Sequence, residues 1–294
     1  MVLGYNSRMD SVMTVLQAIL PQHALSRLVG WLAQLENPVW LKNRLIRLFM
    51  ARYDIALTDA SCRQAEDFPH FNAFFTRSLR EGARPLGDAA WLHPADGVLS
   101  QRGNIDASAL VQAKGRTYSV VDLLAGSEEE ASRYAQGCFA TTYLSPRDYH
   151  RVHMPVSGRL VSTRYVPGDL FSVNLATTER VQGLMARNER LICLFETDHG
   201  GLAMVLVGAM IVAGIATVWG GREIPGTGAV REQFWLEGEG PVLEAGQEMG
   251  RFFLGSTVVL VTEASNLDWI NAAGDAVTVR DALAQSSAAS NRRH

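Results

Sequence analysis

Three short stretches of the chain hold an acid, two histidines and a serine, which are the parts needed to activate a hydroxyl group. These are His93–Gly97 with Asp96, Tyr149–Pro155 with His150 and His153, and Phe253–Thr257 with Ser256. The electrophile nearest to the Ser256 hydroxyl is the carbonyl of Gly255, and a glycine at that position leaves its carbonyl open to attack. These residue types therefore indicate an attack of the chain on itself.

Such an attack would move the acyl group from nitrogen to oxygen and give an ester at Ser256. Elimination would then release the upstream chain and leave dehydroalanine, which hydrolyses to a pyruvoyl group and ammonia. The reaction needs a base for the hydroxyl and the α-proton, and donors for the tetrahedral oxyanion. From the residues alone, an ordinary turn also accounts for Gly255-Ser256-Thr257, because such tripeptides are common.

The other candidates also have two interpretations each. Asp96, next to Gly97, is typical of a turn aspartate, or it orients an imidazole as in a Ser-His-Asp triad. His150 and His153 are either structural or catalytic. Their spacing could also form half of a metal site, but a third ligand at a useful spacing is missing, so no metal is predicted.

Composition excludes several classes of protein. The 294 residues are 47% apolar, which is ample for a packed core. Three scattered cysteines without a C-x-x-C pair argue against a disulfide framework and favour a reducing compartment. The only lysines are Lys42, in a basic helical stretch, and Lys114, in a predicted loop. An enzyme that uses pyridoxal phosphate needs a lysine to hold the cofactor, so pyridoxal phosphate is not predicted.

Charge is distributed unevenly along the chain. Residues 1–53 carry six basic and two acidic residues, a net charge of +4, whereas the whole chain has a net charge of −3. A basic, apolar front end on an acidic body indicates an anionic surface as partner, and lipid fits better than nucleic acid. The body lacks the basic patch that nucleic-acid binding would need.

The first 58 residues are predicted to be helical. Apolar residues recur at helical spacing within 12–20, 25–32 and 41–49, and none of these segments reaches the ~20 apolar residues of a membrane-spanning helix. One interpretation is an anchor lying on a membrane surface, with Trp31 and Trp40 at the depth of the lipid headgroups. The other is a helical bundle packed on the body.

The rest of the chain is predicted to be mainly β. Helices are expected over Phe68–Arg80 and over Gly126–Ala135, where Ser127 followed by three glutamates resembles an N-cap. Short β-branched runs follow, and the apolar Leu202–Trp219 segment is interpreted as two buried strands rather than a membrane span. The tail from Gln285 is expected to be disordered. The fold class predicted is α+β.

Four stretches together resemble the phosphatidylserine decarboxylases, in order and without a large gap. They are His93–Gly97, Tyr143–Pro155, Val207–Ala209 and Phe253–Thr257. The resemblance implies cleavage between Gly255 and Ser256, with Asp96, His153 and Ser256 as the self-cleavage triad. It also implies that Ser256 becomes a pyruvoyl cofactor, which forms a Schiff base with the substrate amine. His150 would reprotonate the product carbon, with His153 as the other candidate.

The same resemblance implies the organisation of the protein. A helical membrane-surface segment (1–58) would precede a mainly antiparallel, β-sandwich-like catalytic body (59–255) and a small chain (256–294) that begins with the pyruvoyl group. The substrate would be phosphatidylserine in the bilayer, with phosphatidylethanolamine and carbon dioxide as products. The expected location is peripheral, on the cytoplasmic face of the cell membrane. The resemblance also suggests a homodimer.

Three other functions remain open on the residues alone. A membrane-associated serine hydrolase could use Asp96, His153 and Ser256 on an external ester, and its chain would stay uncleaved. A non-enzymatic module at a lipid surface would need no reactive serine. A pyruvoyl-dependent decarboxylase of a soluble amino acid would be indifferent to deletion of residues 1–53.

Overall fold

A large antiparallel sheet forms the centre of the molecule in the computed structural model, which describes residues 22–106, 108–113, 116–209, 214–223, 228–253 and 256–286. In chain order the strands are β1 (Trp91–Leu92), β2 (Gly97–Asn104), β3 (Ala109–Ala113), β4 (Arg116–Ser119), β5 (Cys138–Leu144), β6 (Arg151–His153), β7 (Gly158–Val166), β8 (Arg190–Thr197), β9 (Gly200–Gly208), β10 (Ile215–Thr217), β11 (Gly221–Glu223), β12 (Arg231–Phe234), β13 (Val242–Leu243), β14 (Glu248–Phe252), β15 (Ser256–Thr262), β16 (Leu267–Trp269), β17 (Ala276–Val277) and β18 (Ala282–Ser286).

The large sheet has the strand order β12-β7-β8-β9-β15-β5-β2-β17, and β13 pairs with β7. Three smaller sheets have the orders β11-β10-β14-β6, β1-β18-β16 and β3-β4. All of the pairings between these strands are antiparallel. The mixed class with antiparallel sheets is therefore confirmed.

The central strands are apolar throughout because both faces of the large sheet are covered. Along β15, Val258 and Leu260 face a core shared with the two small sheets that contain β1 and β14. Val259 and Val261 face a second core, which β3, β4 and short helices close. A strand buried on both faces needs apolar residues at consecutive positions rather than at alternate ones.

The helices are short outside the N-terminal region. They are α1 (Gln22–Leu32), α2 (Val39–Tyr53), α3 (Phe71–Phe75), α4 (Val120–Leu124), α5 (Glu128–Ser132), α6 (Leu175–Thr178) and α7 (Leu184–Arg187). Ser127 caps α5 as predicted, because its Oγ accepts a hydrogen bond from the backbone N–H of Glu130 at 3.1 Å. None of the helices within the described ranges is long and apolar enough to cross a membrane.

Two predictions about local structure need correction. The helix expected over Phe68–Arg80 covers only Phe71–Phe75, because the chain after Thr76 turns to bind the body and Leu79 forms a β-bridge with Ala60. Gln285 and Ser286 belong to β18 rather than to a disordered tail. The predictions for residues 12–20, Lys114, Gly255 and 287–294 concern positions outside the described residues.

Candidate active site

Ser256 is the first residue of β15 and lies in the middle of the large sheet. It is directly opposite Leu144 of β5 on one side and Gly208 of β9 on the other. Its exposed fraction is 0%, and its Oγ has no hydrogen-bond partner among the described residues. Buried hydroxyls are usually paired, because leaving one unpaired costs free energy. The structure thus holds a buried hydroxyl, unpaired among the described residues, at the position where the sequence predicts a nucleophile.

Asp96 lies in the turn that leads into β2, two strands away from Ser256. Its Oδ1 accepts a hydrogen bond from the Val279 backbone N–H at 2.8 Å, and its Oδ2 accepts one from Arg84 at 3.1 Å. Gly97 follows with φ at +148°, and a Cβ there would lie 2.1 Å from the Tyr143 carbonyl oxygen. Only glycine permits this close approach, which holds Asp96 at the same end of the sheet as Ser256.

His150 follows a tight turn that connects β5 to β6. Asp148 closes this turn, because its carboxylate accepts hydrogen bonds from the Ser145 N–H and hydroxyl, both at 2.7 Å. The imidazole of His150 stacks on Phe75, with ring centroids 4.0 Å apart, and its Nε2 donates to the Ser145 carbonyl oxygen at 3.1 Å. Ser145 directly follows Leu144, so this contact brings His150 next to the Ser256 position.

The protonation of His150 follows from its surroundings. A carbonyl oxygen can only accept, so Nε2 carries the hydrogen and Nδ1 is unprotonated. Burial, with a contribution from the nearby Arg77 guanidinium, lowers the pKa of His150 to about 3. Nδ1 is buried and has no hydrogen-bond partner within the described part of the chain. The ring is therefore neutral and offers one unused lone pair.

His153 lies in β6 with both ring nitrogens engaged. Nδ1 is 2.8 Å from the Gly246 carbonyl oxygen, and Nε2 is 3.1 Å from the Tyr149 hydroxyl. Its backbone N–H donates to the Pro94 carbonyl oxygen at 2.8 Å, which places β6 beside the turn that contains Asp96. Burial lowers the pKa of His153 below its ordinary value, so the imidazole is a neutral base.

The segment after α3 attaches the N-terminal region to this site. Arg77 donates to the backbone carbonyls of Arg147 and Asp148 at 3.0 and 3.2 Å. Arg84 bridges the carboxylates of Asp59 and Asp96. A cavity of about 170 Å³ lies between the two regions, and its walls include Arg77, Arg84, Asp96, Asp148 and Tyr149.

The structure gathers the four predicted residues at one end of the large sheet without linking them directly. Strand spacing puts the Asp96 turn and Ser256 about 10 Å apart, because Leu144 lies between Gly97 and Ser256. His150 and Ser256 are joined through the Ser145–Leu144 backbone. No hydrogen bond joins Asp96 to His153 or His153 to Ser256 among the bonds found within the described ranges.

Sequence reasoning missed the groups that hold these four residues. Tyr149 lies within the quoted Tyr143–Pro155 stretch, and its place four residues before His153 was the available signal. Gly246 contacts His153 from 93 residues away, and the sequence gives no sign of that contact. No cluster of three His, Cys, Asp or Glu side chains suited to a metal ion occurs in the part of the chain that the structure describes.

Comparisons with known proteins show which family the chain resembles. A family model described as phosphatidylserine decarboxylase matches residues 71–285, and a second model, described as PSD, matches residues 13–54. A relative from Alcanivorax borkumensis, named phosphatidylserine decarboxylase proenzyme, is 54% identical over 257 residues, which cover 86% of this chain and 87% of the relative. Proteins of the same name from Stutzerimonas stutzeri and Pseudomonas aeruginosa are each 48% identical, over 90% and 92% of this chain and over 90% and 95% of the relatives.

The matched region includes every predicted site residue, from Asp96 to Ser256. The serine hydrolase alternative finds no support among these relatives, and the resemblance deduced from the four sequence stretches is confirmed. The chain belongs to the phosphatidylserine decarboxylase family.

Proposed function

We propose that the chain is a proenzyme that cuts itself between Gly255 and Ser256 and then converts phosphatidylserine to phosphatidylethanolamine and carbon dioxide. The observation that carries this proposal is the buried Ser256 hydroxyl without a hydrogen-bond partner in the described structure, with His150, His153 and Asp96 gathered around the same end of the sheet. A family of proenzymes has a use for such a hydroxyl, because it must attack its own backbone before any substrate binds.

In self-cleavage, Ser256 is the nucleophile and His153 is the base. The neutral ring of His153 has its hydrogen on Nδ1, facing the Gly246 carbonyl, so Nε2 is the nitrogen that takes the proton from the Ser256 hydroxyl. Asp96 is proposed to contribute a negative charge at the same end of the sheet, which would favour the His153 imidazolium that results. Since Asp96 is bound to Arg84, this support acts through space rather than through a direct hydrogen bond.

The fit of the chain to a pyruvoyl group follows from Ser256 itself, because the group is made from that residue and needs no separate binding site. Such a group supplies a carbonyl that condenses with the substrate amine and accepts electrons as carbon dioxide leaves. His150 is placed to hold and deliver a proton beside it. The buried ring is neutral when the site is empty, and an anionic headgroup would favour its protonation.

The basic front end is proposed to lie on the anionic membrane surface at the cytoplasmic face of the cell. α2 is apolar on two sides, because Ile46 is fully buried against the body while Leu45 and Leu48 are exposed. The Lys42 ammonium donates to the Phe68 carbonyl, so the helix turns a charge inward and leucines outward. Trp31 and Trp40 are exposed as well, by 60% and 67%.

The large and small chains are proposed to stay together after cleavage. β15 of the small chain is hydrogen-bonded between β5 and β9 along its whole length, and β18 pairs with β1. The three-part division at positions 58 and 255, and a homodimer, remain proposals that rest on the family.

The substitutions Asp96→Asn and His153→Ala are each expected to block maturation. Asp96→Asn removes the negative charge that stabilises the imidazolium, and His153→Ala removes the base, so each should slow self-cleavage by roughly 100-fold or more. Denaturing electrophoresis of the purified variants should show one full-length chain. Normal conversion to two chains in either variant would remove that residue from the proposed triad.

Loss of two exposed apolar side chains is expected to weaken membrane binding. Complete burial of a large apolar side chain contributes about 2 kcal/mol, so Trp40→Ala with Leu45→Ala should reduce affinity for vesicles containing phosphatidylglycerol roughly 30-fold or more. Cosedimentation measures this binding. The control is Phe234→Ala with Leu236→Ala, because these side chains are 65% and 74% exposed on the body. If both double variants lost the same amount of vesicle affinity, the N-terminal helices would not be a specific membrane anchor.

The proposed function is tested by intact masses of the purified protein and an assay with phosphatidylserine. Two chains are expected, and the smaller should begin at position 256 and be lighter than a chain with an N-terminal serine by the mass of one ammonia. Carbon dioxide should be released from phosphatidylserine in mixed micelles. A single unmodified chain whose Ser256 is labelled by an organophosphonate would instead support a hydrolase.

A further inference from the structure

The tautomer of His153 is fixed by two contacts on opposite sides of its ring. The Gly246 carbonyl oxygen, 2.8 Å from Nδ1, can only accept, so Nδ1 carries the hydrogen. Nε2 therefore presents a lone pair, and the Tyr149 hydroxyl 3.1 Å away must donate to it. The atom that would take the proton from Ser256 is thus bound to the tyrosine in the uncleaved chain.

Tyr149 is suited to remain a donor. It is 4% exposed, and burial raises the pKa of its hydroxyl, so that it stays protonated across the ordinary pH range. Its side chain also lines the cavity that contains Asp96. Tyr149 therefore contacts the base and lines the same cavity as the carboxylate that was expected to orient it.

The charged groups around this pair are already engaged. Arg151 donates to Glu248 at 2.7 Å, and Arg280 donates to the same Gly246 carbonyl oxygen at 2.8 Å. Asp96 is bound by Arg84 on the opposite side of the cavity. Removing the tyrosine hydroxyl leaves all of these contacts in place, so a change in the His153 titration could be assigned to the hydroxyl.

We propose that Tyr149 is a positioning residue for self-cleavage, which holds Nε2 of His153 as an unprotonated acceptor until the Ser256 hydroxyl approaches. This inference rests on the proposed function. As the Ser256 oxygen bonds to the Gly255 carbonyl carbon, its proton passes to Nε2, and the new Nε2–H can donate to the Tyr149 oxygen, which changes from donor to acceptor. When the bond between that carbon and the Ser256 nitrogen breaks, the nitrogen takes the proton from Nε2, and the tyrosine keeps its own proton throughout.

Tyr149→Phe is expected to slow self-cleavage roughly tenfold, which is the effect of losing one positioning hydrogen bond. It should also change the pH dependence. A donor to the lone pair stabilises neutral imidazole, so its removal raises the pKa of His153 and moves the acid limb of the rate profile to higher pH. The difference in self-cleavage rate between Tyr149→Phe and the wild type should therefore be largest at acid pH and become smaller as the pH rises. A packing defect would slow the reaction equally at every pH.

The measured quantity is the rate of self-cleavage at each pH. Full-length chain is translated in vitro in the cold and then transferred to warm buffers from roughly pH 5 to 8. Denaturing electrophoresis shows how much of the chain has been cut at each time. Tyr134→Phe is the matched control, because Tyr134 is also buried but lies in the other core. If the wild type cleaves itself and Tyr149→Phe shows the same dependence of cleavage rate on pH, the inference about Tyr149 is wrong, while the proposed function still stands. A wild-type chain that never cleaves would overturn the proposed function itself. Thermal melting of both variants shows whether the fold is retained.

Discussion

Alanine at position 256 is expected to give a single chain of 294 residues with no detectable decarboxylase activity. In the proposed mechanism the hydroxyl is both the nucleophile of self-cleavage and the source of the reactive carbonyl, so its loss would remove the cofactor as well as the cut. Folding should be little affected, because Ser256 Oγ makes no hydrogen bond to any described residue. Intact mass and carbon dioxide release from phosphatidylserine measure the two effects, and wild-type protein should show both.

Thr257→Val is the matched control for this variant. Thr257 is the next residue of β15, it is equally buried, and its hydroxyl also lacks a partner among the described residues. Valine has nearly the same shape, so the strand should keep its packing and the chain should mature. If Ser256→Ala yielded two chains with a normal small fragment, the cleavage site would have to lie elsewhere.

The second large effect is expected from His150→Ala, which should separate maturation from turnover. Self-cleavage is proposed to rely on His153, so the variant should still form two chains with a pyruvoyl end. Decarboxylation should fall roughly 100-fold or more, because a positioned proton donor contributes on that order. The measurement is carbon dioxide released per mole of small chain, which corrects for any difference in maturation.

His199→Ala provides the comparison for His150→Ala. His199 lies in the turn between β8 and β9, at the opposite end of the strands from Gly208 and Ser256. Its removal should leave both maturation and turnover unchanged. Normal turnover by matured His150→Ala would assign reprotonation to another group, with His153 as the remaining candidate.

Much of the site could be predicted because its residues lie in short stretches with distinctive composition. His150 and His153 are three residues apart, and Ser256 precedes the apolar, β-branched run Thr257–Thr262, which favours a strand. The register that places Ser256 between Leu144 and Gly208 could not be predicted, because pairing depends on contacts between distant segments. The close contact of Gly97 with the Tyr143 carbonyl could not be predicted either, because it also depends on how two distant strands pair.

The N-terminal half was predicted less well because local pattern and tertiary contacts disagree there. The helical pattern of the sequence continues past Phe75, but the segment after it is bound to the body instead. Arg77 donates a hydrogen bond to the Arg147 carbonyl, and Arg151 donates one to the Thr76 carbonyl. The apolar face of α2 was identified, whereas the direction it faces depends on the Lys42 contact with the Phe68 carbonyl. Periodicity defines the face of a helix but not what covers it.

If the chain is cut before Ser256 as proposed, the central position of β15 makes maturation a one-way step for folding as well as for chemistry. Before the cut, the strand belongs to a continuous chain, and an unfolded molecule can regain its structure by an intramolecular process. After the cut, the same strand belongs to a separate fragment of 39 residues, so refolding requires two molecules to meet and depends on their concentration. The mature protein therefore relies on slow unfolding for its persistence, and its lifetime is set by a rate rather than by an equilibrium.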